Sequence, residues 1–451
     1  MRKQRKDTMA ILVSLVFVAY TFILPNMALA TPVPDTGQTK CYNNTNEEIP
    51  CPQPGEPFYG QDAQYSVNPP SYTKLDANGN PLPDSTSSWA MVRDNVTGLI
   101  WENKTDDGSL HDKDISYNWQ DAQDVFIASL NANHFGGFSD WRLPTAKELS
   151  SIIFRDVYNP SINTNYFPNT LASAYWSSTP DKSDINLAWW VYFYDGCIYH
   201  HKTKLEYSNV RAVRGRQLLN NYVENGDGTV TDTNTDLMWQ QDGTSQRTWE
   251  GALAYCENLT LAGYNDWRLP NINELHSLVD FERYNPSINT TYFITMGSAY
   301  WSSTSFTGDL THASDVDFYY GGIGNGLYNK TTYYYVRAVR GPITTIIKLC
   351  SFEAAPKANM VTLEWSTETE IDNAGFNLYR SESENGNYIK INTSLIPAKG
   401  SPTQGASYEF IDNNVKNRKT YYYKLEDIDL NGTSTMHGPV SAMPRWIYGQ
   451  K

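Results

Sequence analysis

Two blocks of the chain place a carboxylate two residues before a guanidinium: Asp140 with Arg142, and Asp266 with Arg268, each inside Asp-Trp-Arg-Leu-Pro. That spacing suits either acid–base chemistry or a structural ion pair beside the tryptophan. Because both copies keep it, a fold-holding pair is expected. Two Tyr-Trp-Ser-Ser-Thr blocks offer serine nucleophiles, Ser177-Ser178 and Ser302-Ser303. No histidine stands at one offset from both; His134 and His276 occupy different positions, so no duplicated nucleophile–base pair exists. His200-His201 is the one adjacent histidine pair, and neighbours on a strand face opposite ways, which argues against a shared metal. Asn225-Gly226-Asp227-Gly228 lacks the regular oxygen ligands and distal Glu of a calcium loop, and reads as a hairpin turn. No catalytic residue, metal or cofactor is therefore expected. Recognition remains. Trp190-Val191-Tyr192-Phe193-Tyr194 aligns with Asp315-Val316-Asp317-Phe318-Tyr319. Strand residues alternate faces, so Val191, Phe193, Val316 and Phe318 form the core side. The other face carries Trp190, Tyr192 and Tyr194 in one copy, and Asp315 and Asp317 in the other. Flat rings with polar edges suit stacking on sugars, whereas paired carboxylates suit cations or hydroxyl groups. The expected ligand surface is aromatic in the first copy and acidic in the second.

The elements that must position these residues come in duplicate, at a period of about 126 residues. Thr97 to Trp101 returns as Thr235 to Trp239. Tyr158 to Thr164 returns unchanged as Tyr284 to Thr290, and Ala174 to Thr179 as Ala299 to Thr304. Val210-Arg211-Ala212-Val213-Arg214-Gly215 returns as Val336 to Gly341. Two whole domains follow, 72–216 and 222–342, each long enough to bury its own core. Trp119, Ala122, Phe126 and Leu130 keep helical spacing after the N-cap Asn118, matched by Trp249, Ala252, Cys256 and Leu259. Thr145 with Glu148, and Asn271 with Glu274, form capping boxes of a second helix. Its apolar face is Leu149, Ile152 and Ile153, or Leu275, Leu278 and Val279. Strands follow at Tyr175–Ser177, Val191–Tyr194 and Val210–Val213, an α+β layout.

The N-terminus bears on compartment. Arg2, Lys3, Arg5 and Lys6 precede the uncharged apolar run 10–24, and Ala28-Leu29-Ala30 offers a cleavage site. Residues 1–30 read as a secretory signal, too short in its apolar run for an ordinary span, and no later stretch suits a bilayer. Losing its four bases and one acid takes the formal charge from −14 to −17. Such a surface repels nucleic acid. Cys41 and Cys51 flank a short polar segment of the leader 31–71, and export favours a disulfide between them. Cys197, Cys256 and Cys350 either leave a free thiol or supply one further pair.

The Trp-Arg-Leu-Pro, Tyr-Trp-Ser-Ser-Thr and Val-Arg-Ala-Val-Arg-Gly blocks, with the leader CYNNTNEEIPCPQPGEPFYGQDAQY, resemble the Lcl C-terminal domain family over roughly residues 41–341. The resemblance implies a fold like that of C-type lectins. It also implies adhesion to sulfated glycans, which the acidic balance does not suit. The calcium-lectin tripeptides Glu-Pro-Asn, Gln-Pro-Asp and Trp-Asn-Asp are missing. A related fold, that of formylglycine-generating enzymes, needs a cysteine pair in one domain, whereas each copy has one cysteine at unmatched places. After Gly341, alternation at Val361–Trp365 and Phe376–Arg380, then Tyr421-Tyr422-Tyr423 and a turn at Asn431-Gly432, resembles a fibronectin type III immunoglobulin-like sandwich over 350–444, with a late tyrosine making the corner hydrogen bond. The chain is expected to be an exported, non-enzymatic binding or adhesion protein for a glycan or another envelope or surface ligand. The alternatives are a structural part of an extracellular assembly and an uncharacterised enzyme.

Overall fold

A computed structural model of the chain describes residues 31–324, 329–341, 349–367, 370, 373–400, 405–429 and 434–446. The expected signal segment and the turn at Asn431-Gly432 lie outside them. Strands dominate and the helices are short. Each copy opens and closes in a four-stranded antiparallel sheet of the same order: Tyr72–Leu75, Met91–Asp94, Ile100–Glu102 and Val213–Arg214 in the first, Tyr222–Glu224, Thr229–Asp232, Leu237–Gln240 and Val339–Arg340 in the second. Asn225 to Gly228 form the hairpin between the first two strands of the latter.

The helices begin where the local chemistry requires. The Asn118 side chain accepts from the Asp121 N–H, and Thr248 caps Trp249–Glu257 likewise. Leu259 lies beyond that helix. Thr145 and Asn271 make capping boxes with Glu148 and Glu274, opening Ala146–Ser151 and Ile272–Ser277. The apolar faces of these two helices are buried.

The two copies are also joined through a shared core. One eight-stranded sheet crosses both copies, because Cys197–Thr203 of the first pairs with Gly322–Gly324 of the second. One buried cluster likewise holds Leu149, Tyr175 and Val191 with Leu275, Tyr300 and Val316. Each copy keeps a smaller private core as well, around Trp141 and Trp176 in the first and around Trp267 and Trp301 in the second. A half-sheet ending at Ile198 or Ile323 would expose a strand edge and apolar side chains together, so pairing buries both at once. The leader is part of the same body. Cys41 and Cys51 are bonded, and Tyr65 donates 2.6 Å to Glu257 while Lys330 donates 3.0 Å to the Asn43 carbonyl. Cys197, Cys256 and Cys350 form no disulfide.

The C-terminal module is a sandwich of a three-stranded sheet (Leu349–Lys357, Met360–Thr367, Ser407–Asp412) and a second sheet built on Asn373–Ser381, Tyr421–Asp429 and Ser434–Ala442. Trp365 stacks on Tyr408 in its core. The corner tyrosine is Tyr421, whose hydroxyl accepts from the Lys416 N–H at 3.1 Å.

Candidate functional site

The repeated polar blocks hold the fold together. Asp140 does not pair with Arg142, nor Asp266 with Arg268. Arg142 grips Glu148 through two bonds of 2.7 Å, and Arg268 grips Glu274 through two of 2.6 Å. The aspartates instead bind the last arginine of the closing block, Asp140 to Arg214 and Asp266 to Arg340. The buried Trp is thus flanked by two separate ion pairs, Arg to the helix-capping Glu and Asp to the closing Arg. Arg211 and Arg337 are fully buried and donate to backbone carbonyls, including those of Glu102 and Gln240. The serines are equally structural: Ser177 Oγ donates to the Trp189 carbonyl and Ser302 Oγ to that of Ser314. His200 and His201 also depart from expectation. A register shift in their strand brings the two rings to 3.6 Å instead of opposite faces. His200 bonds Asp181 at 2.8 Å and stacks on Tyr320 of the second copy. Asp106, Asp112 and Asp114 converge in one loop, but Lys113 bridges Asp106 and Asp114, and backbone N–H groups occupy Asp112.

The aligned strand segments occupy equivalent places. Trp190 lies opposite Trp176 as Asp315 lies opposite Trp301, and Tyr192 opposite Ala174 as Asp317 opposite Ala299. Val191, Phe193, Val316 and Phe318 are buried in the shared core. On the other face of the first copy, rings follow one another. Trp190 and Tyr192 are 5.7 Å apart, Tyr192 stacks on Tyr194 at 5.7 Å, and Tyr194 meets Tyr158 at 6.3 Å. Tyr199 packs 4.9 Å from Trp190, and the Lys202 ammonium stands 5.6 Å from the Trp190 ring. Accessibility rises along this row. Trp190 rests on the private core with its Nε1 buried, while Tyr194 and Tyr158 are 40% and 47% exposed. Tyr158 reaches the row because Asn159 and Ser161 donate to the Tyr194 and Phe193 carbonyls, both at 2.7 Å. Tyr158 and Tyr199 are absent from the sequence-derived surface. The first is signalled by the repeated Tyr-Asn-Pro block; the second sits in a neighbouring strand, with no local signal.

The acidic counterpart is corrected. Asp315 is 4% exposed, with Oδ1 lacking a hydrogen-bond partner, and burial followed by the charge of Asp317 raises its pKa well above the usual carboxylate range. It does not present an accessible carboxylate. Asp317 is half-buried and accepts from the Tyr319 N–H at 2.8 Å. The inner part of this strand face is thus aromatic in the first copy and acidic and largely closed in the second, while its outer end, Tyr194 and Tyr158 or Tyr319 and Tyr284, is exposed in both.

The model of the Lcl C-terminal domain family matches residues 90–214 and 228–340. Amylopullulanase of Thermoanaerobacter thermohydrosulfuricus is 32% identical over 89 residues, 20% of this chain, and the chain spans 5% of that relative's length. Among solved structures, an Fn3-like protein from Clostridium thermocellum is 19% identical, with 22% of this chain and 93% of that one covered and a TM-score of 0.15. Pectate lyase PelI from Erwinia chrysanthemi, in complex with tetragalacturonic acid, is also 19% identical, over 21% of this chain and 28% of that one, with a TM-score of 0.17.

Proposed function

This chain belongs to the Lcl C-terminal domain family, and from that membership together with the aromatic row of the first copy we propose that it is an extracellular, carbohydrate-related binding protein that does no chemistry on its ligand. The observation that carries the reading is the run Trp190, Tyr192, Tyr194 and Tyr158, whose rings succeed one another at 5.7 to 6.3 Å and pass from half-buried at Trp190 and Tyr192 to exposed at Tyr194 and Tyr158. Rings in a row offer apolar faces to sugar C–H groups and leave phenol hydroxyls to bond sugar hydroxyls. The bonded Cys41 and Cys51 suit an oxidising compartment. No helix among the described residues is long and apolar enough to cross a membrane. The combination of two short helices and a sheet in each copy supports kinship with lectin-like folds. A net negative charge favours neutral over sulfated glycans.

The test is binding of the mature protein to a panel of neutral, acidic and sulfated polysaccharides, repeated with Tyr192→Ala and Tyr194→Ala. The expected result is saturable binding of a neutral polysaccharide that both substitutions weaken, each by about 1 kcal/mol or more, with melting unchanged for Tyr194→Ala. Unaltered affinity in both folded variants removes the row from the site.

A further inference from the structure

The two copies meet through their own counterparts. Ile198 pairs with Ile323, which holds the same place in the repeat, and Ser150 Oγ lies 3.3 Å from Nδ1 of His276, again the same place. A contact in which each residue faces its equivalent is isologous and relates the copies by a local two-fold axis. Such an axis produces two equivalent grooves along the seam. One is filled by the leader of this chain. There the Thr36 carbonyl accepts from the Arg155 N–H at 2.8 Å, and the Pro34 carbonyl from Asn273 Nδ2 at 3.1 Å. The Gln38 amide both accepts from and donates to the Ser305 backbone, each at 2.9 Å. Thr39 donates to Asp156 through its N–H and hydroxyl, and leader residue Asp62 accepts from Thr304. The passage is tight: a Cβ on Gly37 would lie 2.0 Å from the Phe154 ring.

The counterpart groove is an open cleft of about 480 Å³. Its lining includes Lys147, Thr179, Pro180, Asp280, Phe281 and Glu282. In the repeat these stand where Asn273, Thr304, Ser305, Phe154, Arg155 and Asp156 stand around the leader. We propose that the open cleft docks a polypeptide segment of a partner protein, lying as the leader lies in the equivalent groove, with a basic side chain where the leader has Gln38. The substitutions between the grooves specify that chemistry. Pro180 replaces Ser305 and keeps the carbonyl but has no N–H, so a side chain at this point meets an acceptor and no donor. Asp280 replaces Phe154, which adds one carboxylate to the same wall, and Glu282 keeps the one that Asp156 supplies. A lysine or arginine carries donors only and a positive charge, so it satisfies all three, whereas an amide leaves its oxygen unmatched. Both carboxylates already hold a cation, Glu282 the Lys182 ammonium at 2.5 Å and Asp280 the Arg283 guanidinium at 2.9 Å, and both pairs lie at the surface, so exchanging a partner costs little. The shorter Asp280 also relieves the crowding that confines the leader to glycine beside Phe154.

The experiment uses the mature chain and a synthetic peptide of residues 31–40 in two forms, natural and with Gln38→Lys, titrated by calorimetry. The expected result is one substituted peptide per chain, the natural peptide binding about tenfold more weakly, and Glu282→Lys in the protein weakening the substituted peptide by about tenfold or more. Glu282 is exposed, so this variant should melt like the parent. Three results would overturn the proposal: no saturable binding of either peptide, equal affinity for the parent and Glu282→Lys, or a neutral oligosaccharide that binds in a Glu282-dependent way while neither peptide does.

Discussion

At the scale of single residues, the blocks most suggestive of chemistry are the ones most occupied with packing. Trp141 and Trp267 are 2% and 1% exposed, with Nε1 donating to the Phe135 and Leu261 carbonyls. Replacing either by Ala removes a large buried side chain and orphans a carbonyl, and should cost about 3–5 kcal/mol in a denaturant melt. A loss below about 1 kcal/mol would place the ring outside the core. The two Arg–Glu pairs differ in setting. Arg268 and Glu274 are 2% and 1% exposed, with Tyr65 of the leader lying over the guanidinium, whereas Arg142 is 24% exposed. Both Arg268→Leu and Arg142→Leu strand a buried carboxylate, Glu274 or Glu148, but only Arg142 stands where solvent already enters. The first should therefore cost about 3–5 kcal/mol and the second clearly less. Equal losses would mean that the leader does not seal the second pair.

At the scale of elements, short helices of six residues persist because their ends are satisfied. In Ala146–Ser151 the Thr145 hydroxyl accepts from the Glu148 N–H at 3.2 Å, while Glu148 accepts from the Thr145 N–H at 2.8 Å and from Arg142. Thr145→Ala removes one member of this circuit and should cost about 0.5–2 kcal/mol, with Thr145→Ser restoring most of it. Failure of serine to rescue would assign the loss to the threonine methyl. These caps, and the apolar faces behind them, are legible in sequence because each involves residues three or four positions apart. The strand face bearing Trp190 and Asp315 is legible in its alternation, which depends only on the two-residue period. Whether that face is open is not, since it depends on which elements lie over it.

At the scale of the whole molecule, the leader and both copies form one body, and the leader carries its own pH dependence into it. Asp35 is held at about 6, against an ordinary 3.8, first by burial and then by the charge of Glu274. Asp62 is raised as well, by burial and then by Asp35. A raised carboxyl pKa means that the folded chain binds the proton more tightly than the unfolded chain. The stabilisation is complete below the unfolded value, falls as pH climbs through the folded one, and is level above it. Asp35→Asn removes the titration. The Tm of this variant relative to the parent should rise as pH goes from about 4 to about 6 and stay constant beyond; a flat difference would mean that Asp35 is ionised throughout.

What the sequence determined by itself was everything set by near neighbours or by repetition: the duplication and its period, the capping boxes, the core positions, and the Cys41–Cys51 bond across ten residues. The family resemblance rested on the same repeated blocks. Tertiary structure alone decided who meets whom over long separations. Arg214 reaches Asp140 across 74 residues, Gln38 reaches Ser305 across 267, and Ile198 pairs with its own counterpart. It also decided that Asp315 is buried while Trp190, at the equivalent place in the first copy, is only half-buried. The reason is physical. Periodicity and capping are solved within a turn or two of backbone, whereas a seam, a filled groove and its open twin exist only after two copies and a leader have competed for the same apolar surface.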